Sequence, residues 1–381
     1  MAVTVLHCTD YFVGRTTNWL YDHLRWVPRH TCSVLCQELQ HREEFPALEA
    51  RELKRRAISR RVWHRLVGER RYPSDVLWIK RQKPAILHSH FGHNAVENID
   101  LVQATGAPWF VSFYGADAYQ LSRLAEWQQL YATVFSSAAR VLALGPVMAK
   151  KLKEIGCPEH KVVVHALGVD LDDLPLQPRR RQPNEPLKLL FAGSFREKKG
   201  IRYIVEALAL ARQRGVRMEF HLVGDAWPKS GDAEVKQEIF ARIDELQLRD
   251  IVKHHPFLKF KELVDLALAT HIFVAPSVTS ADGDSEGTPF VLQQMMATGM
   301  PCIATRHSDI PFLFGKHADQ LIPERDANAI ADRLVSYWER PEQLPEHGAA
   351  LSDQIRTHLD VRVCASRLSD LYDEALRGTH R

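Results

Sequence analysis

A loop with three basic side chains follows a predicted strand and has the composition of a phosphate site. The strand ends at Gly193, the loop carries Arg196, Lys198 and Lys199, and a helix is predicted from about Gly200. Glycine permits a tight turn, and cations beside a helix N-terminus suit a diphosphate. Basic loops are also common on protein surfaces, so this loop alone leaves both interpretations open.

A second loop follows the apolar run Ile272–Ala275 and places a carboxylate directly before a predicted helix. Glu286 and Gly287 precede Pro289, which fits a first helical turn because its missing N–H costs nothing there. The acid can act as a helix cap that favours the dipole. With free backbone N–H groups beside it, it can equally bind sugar hydroxyls or phosphates.

Histidines gather after a predicted strand in the first half of the chain. His88, His90 and His93 are close enough in sequence to be metal ligands, hydrogen-bonding groups of a ligand cleft, or structural residues. Two other runs also follow strands. Residues 112–117 end in Asp117, which is predicted to cap a turn, and the run from His307 is compatible with a simple turn.

The elements that must position these loops alternate between short apolar runs and amphipathic stretches. Such alternation predicts parallel sheets with helices on both faces, an α/β fold. The predicted strands are Val3–Leu6, Ala85–His88, Trp109–Phe113, Val141–Leu144, Leu187–Ala192, Glu219–Val223, Ile272–Ala275 and Cys302–Ala304.

The length of 381 residues suits two domains of ordinary size. A proline-rich segment over residues 175–186 has the composition of a linker. We therefore predict an N-terminal domain over 1–178, a second domain over 186–350, and C-terminal helices over 351–381 that pack back on the N-terminal domain.

Composition indicates an ordinary globular protein, with 45% hydrophobic and 25% charged residues. No apolar run reaches the roughly 18 residues of a membrane helix, and the N-terminus is predicted to enter a strand rather than a signal peptide. Six cysteines in this length do not resemble a disulfide framework, and Cys32 and Cys36 are predicted to be buried thiols. We expect a reduced, cytoplasmic protein.

Charge is concentrated between Arg51 and Lys83, where twelve basic residues face three acidic ones. Trp63, Tyr72 and Trp78 are interleaved with them. Such a segment is typical of an anionic membrane surface, of a solvated helix face or, less often, of nucleic-acid binding. We favour the inner face of a membrane and expect no nucleic-acid partner.

These loops together resemble glycosyltransferase family 4, and the resemblance covers nearly the whole chain. Its most specific part runs from Asp282 through Glu286 to Pro289 and on to the stretch 296–301. The resemblance implies the GT-B fold, in which two Rossmann-like domains face a central cleft. The closest likeness is to members that build exopolysaccharides and other surface polysaccharides. The other phrases that carry it are residues 12–17, 156–161, 168–170, 222–225 and 274–277.

The resemblance also implies roles for individual residues. In the catalytic set, Arg196 and Lys199 would neutralise the leaving diphosphate without a metal or cofactor, Glu286 would hold the donor sugar, and His90 would reach a sugar or acceptor hydroxyl. Gly14 would give backbone clearance under the diphosphate. The full implied donor-binding set is Gly14, Gly193, Ser194, Gly224, Gly287, Thr288 and Gln294, and the implied acceptor-side residues are Tyr114 and Asp117.

Three positions depart from the family pattern. Gln294 stands where the family has a second glutamate that accepts bonds from ribose, and this loss of charge costs about 1 to 2 kcal/mol. Ser194 replaces the usual arginine after the glycine, and Arg196 is the substitute. Tyr114 replaces a histidine found in many members, so no catalytic role is carried over to it.

The implied activity is retaining transfer of a hexose-type sugar from a nucleotide diphosphate onto a lipid-linked saccharide acceptor. Two alternatives from other classes stay open. One is a metal-dependent hydrolase that uses His88, His90 and His93. The other is a non-catalytic GT-B protein that binds a saccharide, for which Gln294 and Ser194 are the reasons.

Overall fold

A computed structural model describes the chain over residues 3–14, 19–44, 48–53, 73–227 and 231–378. The chain forms two compact units, one of residues 1–168 with 361–381 and the other of residues 169–360. Each unit is built on one parallel sheet, which confirms the α/β prediction of two Rossmann-like domains.

The first unit contains a seven-stranded sheet in the order β3-β2-β1-β4-β5-β6-β7, with every pairing parallel. The order reverses between β1 and β4, which makes that pair the switch point of the sheet. The strands are β1 Val3–Phe12, β2 His30–Leu39, β3 Glu49–Glu52, β4 Ile86–His90, β5 Trp109–Phe113, β6 Arg140–Ala143 and β7 Val162–Val164. The helices are α1 Trp19–Arg25, α2 Pro73–Gln82, α3 Gly92–Glu97, α4 Ile99–Thr105, α5 Ala116–Tyr119, α6 Ala125–Ser137 and α7 Pro146–Glu154.

The second unit contains a five-stranded parallel sheet in the order β10-β9-β8-β11-β12, with its switch point between β8 and β11. The strands are β8 Leu187–Ala192, β9 Met218–Val223, β10 Val252–His255, β11 Ile272–Ala275 and β12 Cys302–Ala304. The helices are α8 Ile201–Gln213, α9 Asp232–Glu245, α10 Phe260–Ala269, α11 Phe290–Ala297, α12 Ile310–Phe314, α13 Ala327–Glu339 and α14 Gln343–His358. Helix α15, Val361–Gly378, returns to the first unit. Short 3-10 turns lie at Arg42–Glu44, Leu121–Arg123, Glu159–Lys161, Glu197–Lys199 and Gly315–Gln320.

The chain passes between the units at residues 168–169 and not within the proline-rich segment, so the predicted boundary between 178 and 186 is displaced. The segment belongs to the second unit because its arginines are anchored there. Arg179 Nη2 donates to Thr298 Oγ1 at 2.9 Å, and Arg181 stacks 4.2 Å over the Trp338 ring. Of the predicted C-terminal segment 351–381, residues 351–360 likewise belong to the second unit.

Cys32 and Cys36 are buried free thiols on β2, as predicted. Burial raises the pKa of each thiol to about 12, so both stay protonated. Among the described residues, no helix is long and apolar enough to cross a membrane.

Candidate active site

The loops that follow β8 and β11 lie next to each other because these two strands pair directly, with Ile272 opposite Leu189. Both loops leave the carboxyl end of the sheet at its switch point, where open α/β sheets bind ligands. The first loop carries the predicted cations and the second the predicted carboxylate. Strand pairing therefore brings together two motifs that are about 90 residues apart in sequence.

Ion pairs join the two loops. Lys199 Nζ lies 2.8 Å from Glu286 Oε1, and Lys198 Nζ lies 3.1 Å from Asp284 Oδ1 and 3.9 Å from Glu286 Oε1. Arg196 Nη2 lies 2.8 Å from Asp284 Oδ2. Three cations therefore surround two buried carboxylates, and we call these five residues the charge cluster.

Glu286 is ionised throughout the physiological range. Burial alone would raise its pKa, but Lys198 and Lys199 oppose that effect and hold the pKa at about 2. A carboxylate that cannot take up a proton near neutral pH serves as a hydrogen-bond acceptor and not as a general acid. This suits contact with sugar hydroxyls.

The loop that carries Glu286 is folded on its own polar groups. Asp282 Oδ1 accepts hydrogen bonds from Ser280 Oγ at 2.5 Å and from the backbone N–H of Asp284 at 2.9 Å. Asp284 is held between Arg196 and Lys198. Asp282 thus stabilises the fold of the loop, and Asp284 forms ion pairs with the arginine and lysine side chains of the neighbouring loop.

A glycine after β9 allows its loop to approach the loop after β8 closely. Gly224 has φ +126°, and a Cβ atom there would lie 1.9 Å from the carbonyl oxygen of Gly193. His254 Nε2 donates to the Gly224 carbonyl at 2.9 Å and fixes this turn. The requirement at Gly224 is therefore close backbone packing against Gly193.

The remaining predicted donor-side residues, apart from Gly14, lie in the same loops or in the helix that follows. Ser194 is half-buried, Gly287 is buried, and Gln294 is buried on α11. Thr288 is buried, and its Oγ1 has no hydrogen-bond partner among the described residues. Gly14 is buried after β1 in the first unit, beside residues 15–18 that lie outside the described chain.

The sequence analysis noted the run from His307 but assigned His307 no role in the site, and the structure places this residue behind the Glu286 loop. Its Nε2 accepts from the backbone N–H of Glu286 at 3.1 Å and lies 3.0 Å from Ser285 Oγ. Its Nδ1 lies 2.6 Å from Glu324 Oε1. The available signal was its position just after β12, which pairs with β11, but the residue was interpreted as part of a simple turn.

In the first unit a cluster of imidazoles lies at the switch point between β1 and β4. Among the described residues, His7, His88 and His90 have ring nitrogens within 4.8 Å of one another. His7 Nδ1 and His90 Nε2 share a hydrogen bond of 3.0 Å. His7 stands opposite His88 in the strand register, so strand pairing assembles this group.

Two tyrosine hydroxyls form hydrogen bonds with ring nitrogens of this cluster. His90 Nδ1 shares a 2.6 Å hydrogen bond with Tyr114, and His88 Nδ1 shares one of 2.6 Å with Tyr372 of α15. Burial lowers the pKa of His90 to about 3, and burial with neighbouring imidazoles lowers that of His88 well below the ordinary value. Both rings are therefore neutral.

The metal triad considered from spacing, His88, His90 and His93, does not form. His93 Nε2 instead lies 2.5 Å from Asp10 Oδ2, and despite the opposing effect of burial this carboxylate raises the pKa of His93. The strand places His88 and His90 on the cluster, whereas His93 follows on helix α3. His7, 81 residues before His88, takes the third place.

Asp117, which was predicted on the acceptor side, uses its carboxylate to accept hydrogen bonds from backbone N–H groups. Its carboxylate accepts from the N–H groups of Gly92 at 2.9 Å, Tyr114 at 3.0 Å, Gly115 at 2.9 Å and Ala118 at 3.1 Å. It joins the loops after β4 and β5, which agrees with its alternative interpretation as a capping acid. Tyr114 is half-buried, with its hydroxyl on His90.

Two family models match successive parts of the chain. Residues 13–168 match "Glycosyl transferase 4-like domain" and residues 186–340 match "Glycosyl transferases group 1". The fold is that of GT-B glycosyltransferases. The chain belongs to glycosyltransferase family 4.

Relatives of similar length include two bacterial proteins. The protein WcaL of Escherichia coli, which is named as a colanic acid biosynthesis glycosyltransferase, is 28% identical to this chain. The match covers 86% of this chain and 78% of the WcaL chain. The amylovoran biosynthesis glycosyltransferase of Erwinia amylovora is 28% identical over 74% of this chain and 69% of its own.

Solved structures share the fold at low identity. The HepE protein of Anabaena in complex with UDP superposes with a TM-score of 0.78 at 14% identity, over 98% of this chain and 100% of its own. The sucrose-phosphate synthase of Thermosynechococcus elongatus also has a TM-score of 0.78, at 16% identity, over 99% and 100% of the two chains.

Proposed function

We propose that this glycosyltransferase transfers a hexose-type sugar, with retention of configuration, from a nucleotide diphosphate sugar to a lipid-linked saccharide in exopolysaccharide biosynthesis. The observation that carries the proposal is the charge cluster at the switch point of the second sheet. It offers cations for a diphosphate and an ionised carboxylate for a sugar in one place.

The donor diphosphate binds by exchange with the carboxylates of the charge cluster. Arg196 and Lys199 are less buried than Lys198, which is 8% exposed, so these two are the cations that turn toward phosphate oxygens. Their charge stabilises the leaving diphosphate in the role that a metal fills elsewhere. Glu286, with the backbone N–H groups of Gly287 and Thr288, holds the sugar.

Retention follows from attack on the face that the diphosphate leaves. Glu286 lies 2.8 Å from Lys199 before the donor binds, and in this scheme it accepts hydrogen bonds from sugar hydroxyls once Lys199 has turned to the phosphate. The acceptor hydroxyl is then deprotonated by the departing phosphate oxygen. No covalent intermediate with the protein is needed.

The acceptor binds the first unit, where Tyr114 and His90 provide the polar group. The His90 imidazole is neutral and bonded to the Tyr114 hydroxyl at 2.6 Å. Tyr114 is the half-buried member of the pair and would meet the acceptor, with His90 acting through it. The names of the relatives in colanic acid and amylovoran biosynthesis support a saccharide acceptor in exopolysaccharide synthesis.

The protein is proposed to act at the cytoplasmic face of a membrane, to which the basic segment 51–83 binds it. Residues 54–72 of this segment lie outside the described chain. In the described part, Arg51 stacks 5.7 Å from the Trp78 ring and Leu77 is 52% exposed. A cation over an aromatic ring, with an exposed leucine beside that ring in the sequence, suits an anionic headgroup layer.

A donor panel tests the activity. Purified protein is incubated with UDP-glucose, UDP-galactose, GDP-mannose and GDP-fucose, and release of UDP or GDP is followed with and without a lipid extract as acceptor. We expect one donor to be consumed, with a matching rise in the melting temperature on binding. Binding of a donor without turnover under every acceptor condition would favour the non-catalytic alternative. Lack of binding would overturn the donor assignment.

A further inference from the structure

The loop that carries Glu286 is supported from behind by a histidine on the neighbouring strand end. His307 follows β12, is 1% exposed, and its Nε2 accepts the backbone N–H of Glu286 at 3.1 Å. A backbone amide can only donate, so Nε2 carries a lone pair. The proton of the neutral ring is therefore on Nδ1.

The tautomer is set by a carboxylate on the other side of the ring. His307 Nδ1 donates to Glu324 Oε1 at 2.6 Å, and Glu324 is three-quarters buried. The second oxygen, Glu324 Oε2, accepts the backbone N–H of Thr279 at 3.1 Å and lies 3.2 Å from Arg325 Nη1. Glu324 thus holds the start of the loop directly and its end through His307.

We propose that His307 is a positioning residue of the transfer reaction, a neutral imidazole that orients the Glu286 carboxylate toward Lys199 and the donor sugar. This rests on the proposed function of Glu286. Small errors of placement at a reacting sugar are costly: a 1 Å shift can lower the rate about a hundredfold. Releasing the Glu286 amide frees the segment that bears the sugar-binding carboxylate.

The charged groups near the ring are the carboxylates of Glu324 and Glu286, with Asp309 on the same turn. Lys198 and Lys199 lie on the far side of the Glu286 carboxylate, and Arg325 lies on the far oxygen of Glu324.

Two conservative variants distinguish the hydrogen bond of His307 to the Glu286 amide from its hydrogen bond to Glu324. In His307→Gln the amide oxygen reaches the position of Nε2 and accepts the Glu286 N–H. In His307→Asn the shorter side chain keeps the bond to Glu324 and loses the one to Glu286. His347→Asn is the matched control, because His347 lies in the same unit and bonds Tyr337 at 2.9 Å instead.

Turnover is measured with whichever of UDP-glucose, UDP-galactose, GDP-mannose and GDP-fucose the wild type consumes fastest. We expect His307→Gln to keep kcat within about threefold and His307→Asn to lose about thirtyfold, with donor KM changed far less. We expect His347→Asn to leave both kcat and donor KM at the wild-type values. Equal kcat for the Gln and Asn variants, or a loss that falls on donor KM and not on kcat, would overturn the proposal.

Imidazole ¹⁵N NMR reports the tautomer of His307 directly and requires no substrate. We expect a neutral Nδ1–H tautomer for the signal lost in His307→Gln, and a larger shift of the Glu286 amide in His307→Asn than in His307→Gln. An Nε2–H tautomer would overturn the proposal whatever the activity. The expected NMR result in a protein that consumes no donor would instead count against the proposed function.

Discussion

At the scale of single residues, Glu286 shows how a buried carboxylate is kept charged. Removing it from water favours its neutral form, and two lysines reverse that preference and leave a pKa of about 2. Such a pair contributes little net stability, since desolvation cancels most of the attraction. Its value lies in placing opposite charges where a substrate with both phosphate and hydroxyl groups can exchange with them.

Lys199→Ala should lower turnover at least about a hundredfold, the scale for removing a preorganised charge that stabilises a transition state. The lost group is the one 2.8 Å from Glu286. Donor release assays with the folded variant check this. Lys261→Ala is the matched control because, within the described part of the chain, that lysine forms an ion pair only with Asp265 on an exposed helix face. We expect Arg196→Ala to behave as Lys199→Ala does. Normal turnover in folded Lys199→Ala would remove Lys199 from the site.

At the scale of elements, the donor site is a product of strand ends that meet. The loops after β8, β9 and β11 converge because these strands are neighbours, and the backbone of Gly224 touches that of Gly193. This contact leaves no room for a side chain. The local backbone at Gly224 is also left-handed, which a residue with a Cβ rarely adopts.

Gly224→Ala should destabilise the second unit by at least about 2 kcal/mol, because the new Cβ meets the Gly193 carbonyl and the backbone must leave φ +126°. Urea unfolding checks the change. Gly231→Ala is the control, since a Cβ there would meet its nearest neighbour at an ordinary 3.7 Å. An unchanged unfolding midpoint for Gly224→Ala would show that the two turns do not pack as described.

Activity should survive excess chelator, because the two aspartates of the Glu286 loop are engaged by protein groups and the loop cations take the role of a metal. Asp282 accepts bonds within the loop, and Asp284 is paired with Arg196 and Lys198. The test is donor consumption before and after treatment with EDTA, with metal content measured in parallel. Loss of activity that manganese restores, and that Asp282→Asn reproduces, would establish a metal at this pair.

At the scale of the whole molecule, burial lowers the pKa of histidines in both units, and the largest reductions lie in the first unit. In the first unit His7, His23, His88 and His90 are buried, and burial, reinforced for His7, His23 and His88 by neighbouring imidazoles, lowers their pKa. A lowered pKa means that the unfolded chain binds more protons than the folded one. Stability from these groups is complete above the unfolded value of about 6.5 and is lost as pH falls below it.

Acidification should therefore open the first unit before the second. Hydrogen exchange measured between pH 7 and 5 should show protection falling first in β1 and β4. His93 works in the opposite direction, because Asp10 raises its pKa, but it is one partly exposed pair against four buried rings. Earlier loss of protection in β8 and β11 would contradict this order.

The protein should sediment with anionic vesicles and be released by high salt, since each base near such a surface contributes about 1 kcal/mol and salt screens it. Changing Arg55, Arg56, Arg60 and Arg61 to glutamine should abolish sedimentation. The control is the same number of neutralised bases in the second unit, at Arg212, Arg214, Arg249 and Lys261. Equal binding to neutral and anionic vesicles would identify the segment as a solvated surface.

Local patterns were enough to predict several elements and the chemistry of their loops. β5, β8, β11 and β12 were predicted with the observed bounds, because short apolar runs between turn residues are typical of buried parallel strands. The strands β2, β3, β7 and β10 were missed. β2 and β10 contain polar residues within the strand, and β3 consists of charged residues with a single alanine, so their local apolar signal is weak. β7 is apolar throughout but only three residues long.

The amino-acid sequence by itself determined which residue types follow which strands, and hence a cation loop, a carboxylate loop and the family that has both. Only the tertiary structure decided which groups meet. His7 replaces His93 in the imidazole cluster because β1 pairs with β4, and His307 reaches the Glu286 amide because β12 pairs with β11. Such contacts depend on strand order, a property of the whole sheet, and no local pattern along the chain encodes it.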